Sequence, residues 1–429
     1  MGSEPQTKGR SFEWWMTSNF AAGAGFSAFV ALLIPPYVTG LSSAADAGVV
    51  MAVISLGAVL GPALGGFADK YKAHRLVLTL GVLGMGLAFA MYAISAGSSS
   101  ILVLDALVMG VAIAAQGSVA PVFVVAAGLS RSVQAKRLTT LSLTWPLGQV
   151  AGGILMVAAI KAGWDYPARF WMAAIIMLAA GVITWLGSAA AARRIESAPT
   201  KADGEGGNSA RSSLRTIFAS AFGTFLLVGI LISVCNNGIN SQIANILPNV
   251  YGIDAATTSG LMSLAGLINI PLFLVAGVWM ARSGAMPVYT AAVLIRVVGA
   301  LGLAVLGLWT NSPIILVAAA MQALYQGTPF ARIAQPAVAV RFATIPAGAA
   351  NGFVLGASAV GSFVGSLIGG YLAANVGFNA INWMGVVAAA GAMALVLVSL
   401  WPAERRKRDE EKRRAAATKA QPVEAPATP

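Results

Sequence analysis

The densest group of polar residues in this apolar chain lies between positions 236 and 245. Asn237, Asn240, Ser241 and Asn245 are spaced so that a helix would place them broadly on one face. Amide side chains both donate and accept hydrogen bonds, so such a face suits a solute that carries hydroxyl or carbonyl groups. The same spacing is also typical of residues that hydrogen-bond to a neighbouring helix, and the sequence leaves both readings open.

Four other polar residues in apolar segments are candidates for the same binding site: Asn19, Gln149, Gln326 and Arg332. Polar side chains in such segments are costly and usually face a cavity or another helix. Arg332 precedes Arg341 by nine residues, which places it about 13 Å deeper along a helix. No acidic residue in the second half is placed to pair with it. Its charge must therefore be stabilised by reaching the surface, by helix-end carbonyls or by an anionic ligand.

Acidic and catalytic residue types are scarce. Asp105 and Asp46 are the only acidic residues in or near the apolar segments, so Asp105 is the candidate for coupling to a proton. Coupling could instead use the substrate itself, or be absent. The single histidine, His74, and the single cysteine, Cys235, cannot build a metal cluster, a Ser-His-Asp triad or a disulfide. We expect no catalytic site, no metal and no cofactor.

Composition places these residues in a membrane protein. The chain is 58% hydrophobic and 10% charged, whereas soluble domains are about 25% charged. A membrane-spanning helix needs about 20 apolar residues, and twelve such stretches follow one another. The sequence therefore predicts an all-α integral membrane protein with twelve transmembrane helices. The predicted spans are 14–38, 44–68, 75–96, 101–129, 138–162, 168–192, 217–250, 257–281, 287–309, 314–340, 349–374 and 378–401.

The spans divide into two sets of six. Residues 193–216 are rich in Gly, Ser and charge, which is typical of a flexible linker. We therefore expect an N-terminal tail (1–13), a first six-helix bundle (14–192), the linker (193–216), a second six-helix bundle (217–401) and a tail (402–429). That tail is a charge run followed by Ala, Pro and Thr, a composition that predicts disorder.

The two halves are related by an internal repeat. A shift of 212 positions aligns residues 34–65 with 246–277 without a gap, matching Gly48 to Gly260 and Gly65 to Gly277. Repeated halves are typical of transporters, whose substrate site lies between the halves near the middle of the bilayer. A Gly-x-x-x-Gly-Gly pattern recurs at positions 61–66, 148–153 and 365–370. Glycines four apart allow close helix packing.

The segment 65–70, Gly-Gly-Phe-Ala-Asp-Lys, resembles the G-x-x-x-D-[RK]-x-G-[RK]-[RK] loop of the major facilitator superfamily. A degenerate copy lies at Gly277, Arg282 and Gly284, where that family also repeats the loop. The sequence departs from the pattern at Lys72, which replaces the loop glycine, and the basic residues are shifted to positions 74 and 75.

The resemblance implies two pseudo-symmetric six-helix bundles around a central cavity, and secondary active or facilitative transport by alternating access. It also implies that Asp69, Lys70 and Arg75, with Gly65, Gly277 and Arg282, form a gate. Helices 3, 6, 9 and 12 are usually peripheral in this family, so Arg296 in the ninth is expected to be structural. We expect a small-molecule substrate, exported as a metabolite or drug or taken up as an organic anion, with a proton or counter-solute as coupling partner. The alternative is a non-transporting sensor or assembly factor.

The basic residues predict the orientation in the membrane. If the N-terminus is cytoplasmic, 23 of the 27 Lys and Arg residues fall on the cytoplasmic side, the side that basic residues favour. This distribution explains the net charge of +12 without nucleic acid as a partner. We expect the chain to lie in a bacterial inner membrane with both termini in the cytoplasm.

A reporter fused after Trp401 should therefore be active only as a cytoplasmic reporter. The measurement compares fusions to a reporter that works in the cytoplasm with fusions to one that works outside the inner membrane. A fusion active on the outer side would overturn the predicted orientation.

Overall fold

A computed structural model describes residues 12–95, 98–125, 131–197, 220–309, 311–343, 345 and 347–420, and this part of the chain is helical with short connections. Twelve of its helices are long and apolar enough to span a membrane, which confirms the predicted fold class. The first six, α1 to α6, are Trp14–Leu41, Ala44–Tyr71, His74–Ile94, Ser100–Val124, Lys136–Lys161 and Tyr166–Ile195. The second six, α7 to α12, are Ala221–Asn240, Ala255–Ser283, Ala285–Leu306, Ile314–Phe342, Ala350–Asn375 and Asn379–Arg413.

Within each half, consecutive spans run in opposite directions. We call the end at which α1 begins and α12 ends the terminal side, and the opposite end the far side. Ser43 caps α2 on the far side by accepting a hydrogen bond from the Asp46 N–H at 3.1 Å. Gly252, which follows the short helix Ile243–Tyr251, ends that helix at a φ of 68°, a value that glycine adopts without strain.

Two spans depart from regular α-helix geometry where the site is built. A π-helical segment, Gly25–Val30, interrupts the middle of α1. The seventh span is broken by a turn at residues 241–242, after which the chain continues as Ile243–Tyr251. π-helical insertions are frequent at functional sites, and the break in α7 rotates the residues that follow it relative to those that precede it.

The two halves meet through glycines. On the far side, a Cβ added to Gly48 in α2 would lie 2.6 Å from the Cα of Gly370 in α11. A Cβ on Gly153 in α5 would meet the backbone oxygen of Ser259 in α8 at 3.0 Å. Gly153 and Gly370 belong to the repeated glycine pattern of α5 and α11, where close packing is observed. The α2 copy differs, because Gly66 has nothing within 4 Å of its Cβ position.

The halves are apart on the terminal side. Among the described residues, no hydrogen bond or ion pair joins the two halves on this side. On the far side, by contrast, Gln242 donates to the Ala44 carbonyl oxygen at 3.1 Å and so links the two halves. The protein is therefore closed on the far side and open toward the terminal side.

Part of the predicted tail is helical and not disordered, since a helix spans Trp401–Ala420 and so extends α12 beyond Arg413; residues 421–429 are not described. Glu404 accepts a hydrogen bond from Arg341 Nε at 3.0 Å and one from Arg408 Nε at 2.7 Å. Lys407 donates to the Arg341 carbonyl oxygen at 2.6 Å. Acids and bases four residues apart stabilise a helix, and Arg341 anchors this one to α10. The composition of the tail did not indicate this spacing of acidic and basic residues.

The linker lies mostly outside the described residues. Its first part is helical, because the helix that contains α6 runs from Tyr166 to Ser197, five residues beyond the predicted end of the first bundle. Residues 198–219 are not described, so the remainder of the predicted linker stays a prediction.

The glycine contact between the halves predicts opposite effects of two equivalent substitutions. Gly48→Ala should lower the melting temperature of the purified protein, because the added Cβ overlaps Gly370 and overpacking typically costs about 1–3 kcal/mol. The matched control is Gly260→Ala at the repeat-related position, where the Cβ has nothing within 4 Å. That variant should be neutral or stabilising, since alanine favours a helix by about 0.5–1 kcal/mol over glycine. Equal melting temperatures would show that the far-side contact is loose.

Candidate functional site

A cavity lies between the two halves at the middle of the bundle. It contains about 660 Å³ of empty space, part of it continuous with solvent. Helices α1, α5, α7, α8 and α10 contribute its walls. Its polar lining residues are Ser27, Gln149, Asn236, Asn237, Asn240, Asn269, Thr328 and Arg332, and its aromatic ones are Phe26, Trp145, Phe273 and Tyr325.

The first half contributes an aromatic wall. Trp145 in α5 donates from its indole Nε1 to the Ser27 hydroxyl oxygen at 2.9 Å. The ring of Phe26 lies edge-on to the Trp145 ring, with 6.4 Å between centroids. Phe26 and Ser27 both belong to the π-helical segment of α1. That segment and the indole therefore hold each other in place at the cavity surface.

The second half contributes an amide wall. Tyr325 in α10 donates its hydroxyl hydrogen to Asn240 Oδ1 at 2.5 Å, and Asn237 donates to the Ser233 carbonyl oxygen at 3.3 Å. From the first half, Gln149 Nε2 reaches across to the Met262 carbonyl oxygen at 3.0 Å. Each amide uses only part of its hydrogen-bonding capacity in these contacts, so the remaining groups can bind a polar solute.

Arg332 is the charged residue of this lining. Its guanidinium carbon lies 4.9 Å from the centroid of the Trp145 ring, so a cation–π contact joins α10 to α5 across the cavity. The side chain is exposed to the cavity. Among the described residues it makes no ion pair and no hydrogen bond. Its hydrogen-bond donors therefore remain available at mid-bundle depth.

Half of the eight predicted binding residues lie elsewhere. Asn19 donates to the Leu141 carbonyl oxygen at 2.6 Å and so joins α1 to α5 within the first half. Gln326 is buried between α10 and α8, 3.5 Å from the Ala265 carbonyl oxygen. These two residues stabilise helix packing, the alternative that the sequence left open.

The other two follow the break in α7. Ser241 donates to the Gly238 carbonyl oxygen at 3.0 Å. Asn245 donates to the Thr39 hydroxyl oxygen at 2.9 Å on the far side. The expected common face of Asn237, Asn240, Ser241 and Asn245 does not exist, because the helix does not continue through this turn. Only Asn237 and Asn240 of this group line the cavity.

The sequence did not single out Ser27, Thr328 or Phe273 as binding residues. The sequence held one indication for Thr328, since Gln-Gly-Thr at 326–328 in the second half repeats Gln-Gly-Ser at 116–118 in the first. Ser27 and Phe273 had none, because a single serine or phenylalanine in an apolar span is common on every face.

Asp69 and Arg75, two of the residues predicted to form the gate, lie where α2 ends and α3 begins. Asp69 Oδ1 lies 2.7 Å from His74 Nε2, and the Asp69 side chain is 69% exposed. Arg75 does not contact Asp69: its guanidinium stacks 3.7 Å from the Trp185 ring centroid and donates to the Trp185 carbonyl oxygen. Lys72 adopts a φ of 52°, the left-handed conformation that the family's glycine would favour.

The contacts seen for the remaining gate residues lie within their own half. Lys70 lies 5.2 Å from the ring centroid of Tyr71. Cβ positions on Gly65 and Gly277 meet only Ser118 and Ile333, at 3.8 and 4.0 Å. Arg282, in the last turn of α8, forms no ion pair with the described residues. The whole group lies on the terminal side, and no hydrogen bond or ion pair of the described residues joins it to the opposite half.

Asp105 lies away from the cavity. It is fully buried in α4, toward the far side, and neither carboxylate oxygen has a hydrogen-bond partner among the described residues. Its proposed role in proton coupling stays a prediction.

Comparison with known families identifies the architecture. A family model described as the Major Facilitator Superfamily matches residues 15–344, which is most of the chain. The chain belongs to the major facilitator superfamily. The predicted pair of pseudo-symmetric six-helix bundles is thereby confirmed, and the family supports membrane transport as the function.

Solved structures of major facilitator superfamily transporters share this fold. The crystal structure of the nucleoside transporter NupG aligns with a TM-score of 0.67 and 14% identity over 90% of this chain and 97% of that chain. The human organic anion transporter MFSD10 (TETRAN) aligns with a TM-score of 0.61 and 14% identity over 89% and 98% of the two chains. No curated protein matches the sequence. At this identity the likeness concerns the fold alone.

The exposed position of Asp69 leads to a prediction that separates gating from stability. Asp69→Asn should reduce transport strongly. The free energy of unfolding should change by no more than about 1 kcal/mol, because exposed ion pairs contribute about 0–1 kcal/mol. The measurement is transport in proteoliposomes together with thermal unfolding in detergent. Asp46→Asn, at an exposed far-side position, is the matched control. If Asp69→Asn leaves transport unchanged, the loop serves only to set the orientation of the protein in the membrane.

Proposed function

We propose that this major facilitator superfamily protein transports a small organic anion by alternating access. The observation that carries the proposal is Arg332, a guanidinium exposed in the central cavity without an ion-pair partner among the described residues. An Arg in mid-bilayer costs about 2.5–3.5 kcal/mol on insertion scales. An anionic solute in the cavity would offset that cost, and a carboxylate or phosphate can accept two parallel hydrogen bonds from one guanidinium.

The charge distribution of the second half favours an anion over a cation. Helices α7 to α11 contain no acidic residue, and Asp254 lies before α8 on the far side. A cationic substrate would meet like charge at Arg332 with no carboxylate to bind it. The cavity therefore selects against cations by repulsion as well as for anions by attraction.

The rest of the lining indicates a substrate that is more than a bare ion. Trp145 and Tyr325 offer ring faces, and Asn240 and Gln149 offer amide donors and acceptors. A planar or unsaturated carboxylate with polar substituents would use all three kinds of contact. The amide and aromatic walls alone would also fit an uncharged planar solute, as expected for metabolite or drug efflux. The role of Arg332 separates the two candidates.

The contact of Arg332 with Trp145 suggests how binding could drive the conformational change. A cation–π contact between the halves contributes about 0.5–2 kcal/mol. An anion that binds Arg332 competes for the same charge and alters the attraction between α10 and α5. A ligand shifts a conformational equilibrium only through such a difference in interaction between states. Binding is thereby linked to movement of the two halves.

The orientation and coupling complete the proposal. With the terminal side in the cytoplasm of a bacterium, the described conformation faces inward across the inner membrane. Either a proton, taken up at Asp105, or a counter-solute would couple transport to a gradient. Nucleic acid has no place among the partners, because the basic residues are explained by orientation. The alternative of a non-transporting sensor predicts ligand binding without flux.

Replacement of Arg332 should weaken anion binding selectively. We expect that benzoate or succinate raises the melting temperature of the wild type more than benzamide or succinamide, since a bound ligand stabilises the fold by mass action. Arg332→Lys keeps the charge but loses bidentate geometry, and Arg332→Ala removes both. We expect carboxylate affinity to fall by about 10- to 100-fold in Arg332→Ala, with a smaller loss in Arg332→Lys.

The control is Arg169→Ala, which removes another arginine that lies over an aromatic ring, Tyr166, at 5.2 Å but outside the cavity. That variant should bind as the wild type does. If Arg332→Ala retains carboxylate binding and transport, the anion proposal is wrong and an uncharged substrate is favoured. Binding in the wild type without uptake or efflux in proteoliposomes would support the sensor.

A further inference from the structure

A second arginine approaches the cavity from behind α10. Arg296 in α9 is 4% exposed and packs against α10 at Gly327. A Cβ on Gly327 would lie 2.8 Å from the Arg296 Cγ and 3.2 Å from its guanidinium carbon. Because Gly327 has no side chain, the Arg296 guanidinium can reach α10, which lines the cavity. The sequence had suggested a structural role for Arg296 at the periphery of the bundle.

The guanidinium of Arg296 is poorly compensated. Its Nη2 donates to the Thr328 hydroxyl oxygen at 3.3 Å, whereas Nε and Nη1 are buried without a hydrogen-bond partner in the described structure. It forms no ion pair with the described residues. Burying an unpaired charge is strongly unfavourable, so packing alone gives no reason for an arginine here. Departures of this kind are expected at functional sites.

Thr328 connects this charge to the cavity. It lines the cavity together with Arg332, and the two residues lie four apart on α10, so they share a face about 6 Å apart along the axis. A hydroxyl can accept one hydrogen bond while it donates another. Because Arg296 donates to Thr328, the threonine hydrogen is free to point at a ligand, and the nearby positive charge strengthens that donation.

We infer that Arg296 acts through Thr328 as a second positive charge of the binding site, which makes the site selective for solutes with two anionic groups. One carboxylate or phosphate binds Arg332, and the other binds the Thr328 hydroxyl in the field of Arg296. Arg296 is then a positioning residue that does not itself touch the substrate. The inference rests on the proposed transport of an anion and adds the number of charges that the substrate carries.

The test uses ligands of equal size and different charge. Succinate, succinamate and succinamide carry two, one and no carboxylates, and phthalate with its monoamide and diamide provides an aromatic series. Dissociation constants come from thermal-shift titrations of the purified full-length protein. We expect the wild type to prefer the dicarboxylate in at least one series. Arg296→Met and Thr328→Val should lower dicarboxylate affinity by about 10- to 100-fold and leave the monoamide affinity unchanged.

Two further measurements separate this role from a structural one. Thr328→Ser keeps the hydroxyl and should retain dicarboxylate selectivity. Arg296→Met should unfold at the same or a higher temperature than the wild type without ligand, because it removes a buried charge that forms no ion pair with the described residues. A lower melting temperature combined with an unchanged ratio of dicarboxylate to monoamide affinity would overturn the inference and make Arg296 structural.

The outcomes also distinguish this inference from the proposed function. If the wild type binds mono- and dicarboxylates equally and Arg332→Ala abolishes both, the anion proposal stands and the role of Arg296 is refuted. If neither series stabilises the wild type more than its uncharged diamide, both proposals fail together.

Discussion

The close approach of the two halves on the far side is the contact on which the rest of the structure depends. Gly48 and Gly370 bring the backbones of α2 and α11 together, and Gly153 does the same for α5 and α8. Because these glycines carry no side chain, the helices can pack closely enough to exclude solute. On the terminal side, no hydrogen bond or ion pair of the described residues joins the two bundles. The cavity and its opening on the terminal side follow from that geometry.

Each bundle is tied together on the terminal side by its own ion pairs. In the first half, Glu13 lies 2.7 Å from Arg137 and 2.5 Å from Arg194, so it links the starts of α1 and α5 to the end of α6. In the second half, Glu404 and Glu411 hold the extension of α12 against Arg341. No ion pair of the described residues joins the two halves. Each half can therefore move as a unit while the contacts between the halves change.

The positive charges of the second half define the chemistry of the cavity. Their cost is high in an apolar bundle, and α7 to α11 offer no carboxylate to reduce it. The protein instead places Arg332 against the Trp145 ring and Arg296 against the Thr328 hydroxyl. Both contacts stabilise a cation only partially. A site that leaves part of this cost uncompensated has binding energy available for an anion, which is how a transporter can link occupancy to conformation.

The sequence by itself determined the spans, the repeat, the family loop and the depth of Arg332, because length, hydropathy and spacing along the chain are local properties. It also brought Asn237, Asn240, Gln149 and Arg332 forward as binding residues, all of which line the cavity. It could not separate these from Asn19 or Gln326, since every face of a membrane helix is apolar and periodicity does not mark the inner one. Only the tertiary structure decided which polar side chain meets the cavity and which meets a neighbouring helix. The break in α7, the Arg332–Trp145 contact and the reach of Arg296 past Gly327 depend on helices that are distant in sequence, and their relative rotation is fixed by packing.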